Sequence, residues 1–104
     1  MIKFDLFIGL NDKDKKRQLR TLKECKEVIN NVLIDNNIDY YTLIDCNGCY
    51  MKEVEKTIDC MIIVNDELEK TTTEKIKKSI NELKKQLNQD SIMLKKERTD
   101  CLFL

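Results

Sequence analysis

The residues with the widest chemical range in this chain are five cysteines, Cys25, Cys46, Cys49, Cys60 and Cys101. Cys46-Asn47-Gly48-Cys49 brings two of them to Cys-x-x-Cys spacing, at which a pair of thiolates can hold zinc from a tight knuckle or close a redox disulfide. A structural zinc takes four ligands. The chain has no His, so Cys60 with Cys25 or Cys101 would have to complete the set, and none of these lies in a second Cys-x-x-Cys. A redox pair draws its low thiol pKa from a helix N-terminus, whereas the residues flanking Cys46 and Cys49 are strand formers. The expectation is free thiols that pack as small apolar side chains, with Cys46 and Cys49 the only metal candidates and no cofactor required.

The other chemistry-bearing groups are read in the same way. Asn11-Asp12-Lys13-Asp14 offers carboxylates, but Lys13, Lys15 and Lys16 offset the field that a divalent cation needs. A helix cap is the better reading of these acids. Acid–base work near neutral pH most often uses His, and no nucleophile with an adjacent base can be read from spacing. Gly9 and Gly48 are the only glycines, so no Gly-rich phosphate loop exists. These absences point to a protein that acts by binding rather than by catalysis.

Composition narrows the partners. With 19 Lys and Arg against 19 Asp and Glu and 41% hydrophobic residues in 104, the chain is a single foldable domain spanning 1–104. It has no concentrated basic excess for strong nucleic-acid binding. The lysines near residues 75–85 alternate with Glu74 and Glu82 and form a solvated face. Lys3 and Asp5 interrupt the only apolar stretch at the N-terminus, and no apolar run reaches the 18 or so residues of a membrane span. A cytoplasmic protein with no membrane partner and reduced thiols follows as an expectation.

The elements that must position these groups follow from periodicity. Ile2, Phe4, Leu6 and Ile8 alternate with Lys3, Asp5 and Phe7 as in a half-buried strand over residues 2–9. Leu19, Leu22, Cys25, Ile29, Val32 and Leu33 recur at helical spacing, predicting a helix from about Lys15, capped by Asp12 or Asp14, to Asp35. Tyr40 to Cys46 and Thr57 to Val64 read as a hairpin. A turn near Lys52 to Val54, with Gly48 as a bulge, is preferred to a turn at Asn47-Gly48, and it sets Cys46 opposite Cys60 and Ile44 opposite Ile62. Thr71 and Glu74 form a capping box before Ile76, Ile80, Leu83 and Leu87, and a short strand runs from Ser91 to Lys95. The order βαββαβ predicts an α+β, ferredoxin-like domain, an antiparallel sheet with both helices on one face.

Phe7-Ile8-Gly9, Gly48-Cys49-Tyr50, Asn88-Gln89-Asp90-Ser91-Ile92 and Cys101-Leu102-Phe103 resemble the landmarks of a family of small bacterial and phage proteins known as a domain of unknown function. The resemblance spans nearly the whole chain and implies the same fold, but no catalytic residue. Abundant Lys, Ile and Asn resemble the coding bias of a low-GC bacterium or its mobile elements.

With Phe4, Leu6, Ile8, Ile58, Cys60, Ile62, Val64, Ile92 and Leu94 facing the helices, alternation sends Phe7, Met61, Ile63 and Met93 to the open side of the sheet, with Tyr41 and Leu43 as neighbours. An apolar patch of that extent marks an interface, unless Leu102-Phe103-Leu104 folds over it. The functional expectation is a non-catalytic binding protein, a homodimer with a protein partner such as a host defence complex, inhibiting that complex in the style of an anti-CRISPR protein. The alternative is a dimeric sensor or sequestering protein with a small-molecule pocket lined by Tyr40, Tyr41 and Tyr50.

Overall fold

The computed structural model describes all 104 residues, Met1–Leu104. The elements are β1 (Ile2–Gly9), α1 (Leu22–Asp35), β2 (Thr42–Tyr50), β3 (Glu53–Val64), a 3-10 turn (Asp66–Leu68), α2 (Glu69–Gln86) and β4 (Met93–Arg98). The strands lie in the order β2-β3-β1-β4, and every neighbouring pair is antiparallel. Phe4, Leu6, Ile8, Ile58, Cys60 and Ile62 are buried in one cluster with Cys25, Ile29, Val32, Leu33, Ile76 and Leu83 of the helices. Both helices therefore cover one face, and the domain is α+β with the ferredoxin-like arrangement. No helix is long and apolar enough to cross a membrane.

The first helix begins later than periodicity predicts. Thr21 is its cap, accepting the Glu24 N–H through Oγ1 at 3.1 Å while the Glu24 carboxylate accepts the Thr21 N–H at 3.1 Å. This capping box satisfies two backbone donors at once, and Leu19, read as part of the helical stripe, is half exposed in the preceding loop. Asp12 does accept backbone N–H groups, from Asp14 and Lys15 at 2.9 Å each, but it closes a local turn. In α2 the predicted Thr71–Glu74 box does not form. The turn at Asp66–Leu68 already starts the helix at Glu69, so these threonines lie inside it, where Thr73 Oγ1 donates to the Glu69 carbonyl at 2.8 Å.

The hairpin also differs. Tyr50 pairs with Glu53, and the two turn residues Met51 and Lys52 have φ of 49° and 68°, the left-handed pair that matches strand twist. Gly48 sits opposite Glu55 in an uninterrupted ladder, not in a bulge. Cys46 faces Thr57 rather than Cys60, and Ile44 faces Asp59 rather than Ile62. Relative to the expected pairing this is a three-residue shift, and an odd shift turns every β2 side chain to the opposite face. Leu43, opposite Cys60, and Tyr41 accordingly pack against the helix-side core. Helix α1 holds that register, with the Tyr41 hydroxyl donating to Asn30 Oδ1 at 2.7 Å and Lys26 Nζ 2.9 Å from Asp45 Oδ1.

Candidate functional site

The open sheet face carries Phe7, Met61, Ile63 and Met93, as alternation requires. Tyr41 and Leu43 are not part of it, for the register reason just given, and Thr42 and Ile44 take their places. Met93 is 61% exposed, while Phe7, Met61 and Ile63 are half-buried. The segment Leu102-Phe103-Leu104 does not cover the face, since all three side chains are exposed. Cys46 and Cys49, three residues apart on one strand, point to opposite faces, so they cannot grip one ion together. Burial pushes the Cys60 thiol up to about 12, with Asp59 and Asp5 adding to it, and also raises Cys25. These two thiols are chemically quiet.

At the centre of this face lies a carboxylate pair that the sequence reading passed over. Asp5 on β1 and Asp59 on β3 are diagonal neighbours, since Asp5 pairs with Met61 and Asp59 with Phe7. Asp5 is only 2% exposed. Burial, then the hydrogen bond and charge of Asp5, push Asp59 up to about 6, against the opposing charges of Lys3 and Lys95. The signal was present in the sequence as a lone Asp within the apolar runs Phe4-Asp5-Leu6 and Ile58-Asp59-Cys60.

A polar cleft of about 420 Å³ opens at the end of the sheet where β1 leaves, lined by Asn11, Asp12, Lys13, Lys16, Tyr50, Glu53, Glu55, Gln89, Asp90 and Ser91. Three segments distant in sequence build it: the loop after β1, the tip of the β2–β3 hairpin and the loop before β4. Glu55 is held by the Asn11 N–H, which donates to its Oε2 at 3.0 Å. That position exists because residue 9 is Gly; a Cβ there would lie 2.5 to 2.8 Å from the Glu55 carboxyl atoms. The Gln89 side-chain amide donates to the Asn11 and Leu87 carbonyls, and the Asn88 amide donates to Asp12 Oδ2 at 3.0 Å and Asp14 Oδ2 at 2.9 Å. These bonds lock the first loop to the last. The Asn88 amide, followed by the backbone N–H groups of Lys15 and Asp14, holds the Asp12 carboxyl below its ordinary range.

Four lining carboxylates against two lysines make the cleft acidic, which favours a cationic ligand. Tyr50, exposed at the hairpin tip, supplies an aromatic face. Tyr40 and Tyr41 do not join it. They lie at the opposite end of β2, a strand spanning roughly 30 Å, so the three-tyrosine pocket expected from sequence is not formed.

The chain is thus a ferredoxin-like α+β domain with an acidic, aromatic-edged cleft at one end of its sheet. It is similar to a phage SAM lyase solved in complex with S-methyl-5'-thioadenosine, with a TM-score of 0.71 and 20% identity over 92% of this chain and 79% of that one. A phage SAM lyase in the apo state superposes with a TM-score of 0.69 and 20% identity, covering 92% of this chain and 78% of the other. At this identity the likeness is one of fold. No family model and no curated protein matches the chain.

Proposed function

We propose that the chain is a lyase acting on S-adenosylmethionine in the cleft between the loop after β1, the hairpin tip and the loop before β4. One observation carries this reading. On a fold shared with the phage SAM lyases, three segments distant in sequence converge on one acidic cleft: Gly9 makes room for Glu55, and Tyr50, Gln89, Asp90 and Ser91 line it. The solved structures of the same fold are of phage SAM lyase, one of them in complex with S-methyl-5'-thioadenosine.

The lining suits that ligand chemically. Its sulfonium and ammonium groups are cations for Glu53 and Glu55, its carboxylate suits Lys13 or Lys16, and Tyr50 offers a stacking surface to the purine. Release of S-methyl-5'-thioadenosine breaks the bond from sulfur to the γ-carbon of the aminobutyrate chain, the electron pair going to sulfur, while a carboxylate oxygen of the same chain bonds to that carbon and closes a lactone. The thioether leaves neutral and takes no proton, so the step needs no general acid, and a chain without His can perform it. What the protein must supply is conformation and electrostatics, which are contributions of positioned polar groups. A cytoplasmic setting, where this metabolite resides, belongs to the same proposal.

The test is direct. Purified protein incubated with S-adenosylmethionine releases S-methyl-5'-thioadenosine, read by mass spectrometry, and Glu55→Gln lowers the rate at least tenfold while the fold is retained by circular dichroism. A protein that neither binds nor converts the substrate at millimolar concentration refutes the reading. The second reading is a non-catalytic phage or mobile-element inhibitor that docks a host defence protein. It is supported by the exposed apolar Met93 and Ile44 on the open face, and stoichiometric recovery of such a complex by an Ile44→Lys-sensitive pull-down would favour it.

A further inference from the structure

Given the lyase reading, on which this inference rests, we propose that Lys16 reads the carboxylate of the substrate, so that the cleft selects sulfonium nucleosides that keep their amino-acid end over those that have lost the carboxylate. Most charges in the cleft are answered within the chain. Asp12 accepts the Asp14 and Lys15 N–H groups at 2.9 Å each and the Asn88 side-chain amide at 3.0 Å. Asp90 Oδ1 lies 3.8 Å from Lys13 Nζ. Lys16, by contrast, enters no ion pair. What stays open is Glu53 and Glu55 on the hairpin bank and Lys16 on the loop bank, which makes the cleft dipolar rather than uniformly acidic.

The backbone at Lys16 points the same way. The Asn11–Gln18 bridge closes the loop after β1. Inside it the Lys16 N–H donates to the Asp12 carbonyl at 2.8 Å, and the Asp12 N–H donates to the Arg17 carbonyl at 2.9 Å. So tight a turn holds Lys16 at φ 60°, in the left-handed region that Gly or Asn occupies at least cost. Asn fills two of the chain's other such positions, Asn37 and Asn88. The Lys16 side chain is exposed and forms no hydrogen bond or ion pair within the chain that would offset the strain. Strain kept without a structural gain belongs to functional sites. The remaining two such residues, Met51 and Lys52, form the hairpin tip between Tyr50 and Glu53 of the same cleft.

An amino-acid end carries a carboxylate and an ammonium on one carbon, with the sulfonium a short methylene chain away. Lys16 offers its ammonium to the carboxylate, and Glu53 and Glu55 offer theirs to the two cations. Because that carboxylate also closes the lactone, Lys16 positions the attacking group as well as selecting for it, and it transfers no proton. The decarboxylated analogue keeps both cations and lacks the anion, so Lys16 opposes its binding. S-methyl-5'-thioadenosine carries none of the three charges and is indifferent to Lys16. Removal of Lys16 therefore acts on the three ligands in three different ways, which a general loosening of the loop does not imitate.

Steady-state kinetics with S-adenosylmethionine, and calorimetric titration with its decarboxylated analogue and with S-methyl-5'-thioadenosine, test this on the wild type, Lys16→Gly and Lys15→Ala. Lys16→Gly should lower kcat/KM for S-adenosylmethionine about tenfold to hundredfold, the loss of one charge-assisted contact. It should bind S-methyl-5'-thioadenosine within about twofold of the wild type and the decarboxylated analogue as tightly or more tightly. It should also melt a few degrees higher, since Gly releases the left-handed strain. Lys15→Ala removes the same charge from a residue that does not line the cleft, and should change no ligand by more than about twofold. Lys16→Asn is the substitute should Lys16→Gly fail to fold by circular dichroism. A wild type that binds none of the ligands and converts no S-adenosylmethionine refutes the lyase reading, and the role of Lys16 with it. A wild type that converts the substrate while Lys16→Gly keeps its kcat/KM, weakens all three ligands alike, or is matched by Lys15→Ala overturns the role of Lys16 alone.

Discussion

Gly9→Ala isolates the cleft from the rest of the fold. Gly9 does not occupy the left-handed region, so Ala accepts its backbone conformation, and lowering the entropy of the unfolded chain stabilises by about 0.4–1 kcal/mol. Against this, the added methyl would lie within 2.8 Å of three carboxyl atoms of Glu55. Glu55 is a flexible side chain and will move, giving up the 3.0 Å bond from the Asn11 N–H, a charge-assisted bond of about 1.5–3 kcal/mol. The two effects leave a net cost of about 1 kcal/mol, or a few degrees in melting temperature. Binding should suffer more, because Glu55 no longer projects into the cleft. Loss of one charged contact to a sulfonium or ammonium group corresponds to a tenfold to hundredfold weaker complex. Calorimetric titration with S-adenosylmethionine, beside thermal unfolding, reads both numbers, and the neutral S-methyl-5'-thioadenosine, which carries neither cation, should lose less affinity. If Gly9→Ala keeps wild-type affinity for S-adenosylmethionine while folded, Glu55 is not a binding group and the cleft argument fails.

Three further outcomes follow from the packing. A carboxyl whose pKa is raised from 3.8 to about 6 on folding costs stability as pH climbs through that window and costs a constant amount above it, so Asp59→Asn should match the wild type near pH 4 and exceed it at pH 8. The shift sets a ceiling of roughly 3 kcal/mol, and partial access of water to Asp59 reduces the expected gain to about 1–2 kcal/mol, read by urea unfolding at dilutions that hold the monomer. Thr21→Ala removes the cap of α1 and should cost about 0.5–2 kcal/mol in the same assay, with Ser restoring most of it. Leu43→Lys buries a charge against the core and should destabilise by several kcal/mol, whereas Ile44→Lys on the open face should leave the monomer folded. The reverse result would mean that the β2 register is displaced by an odd number of residues.

Much of the architecture was legible in the chain because periodicity is a local property. Ile2, Phe4, Leu6 and Ile8 on one strand, and Ile76 and Leu83 on one helix, declare which face is buried without reference to any partner, and all six are buried. The order of elements then left few topologies open. The segment Tyr41 to Cys46 carried no such declaration, because both of its alternating sets, Tyr41 with Leu43 and Ile44 with Cys46, contain apolar residues. Its face was decided by the turn at Met51-Lys52, two residues without a turn signature held at positive φ, and by α1 contacts from Lys26 and Asn30. Helix starts were misplaced for a related reason, since Thr21 and Thr71 each precede a Glu at the capping distance and only tertiary context selects which box closes. The cleft was beyond sequence reasoning altogether. Gly9, Glu55 and Gln89 stand far apart along the chain and have no motif in common, and each is ordinary alone. Antiparallel pairing of β1 with β3 and the return of the chain into β4 bring them together, because a closed sheet end is a property of the folded chain and not of any one segment.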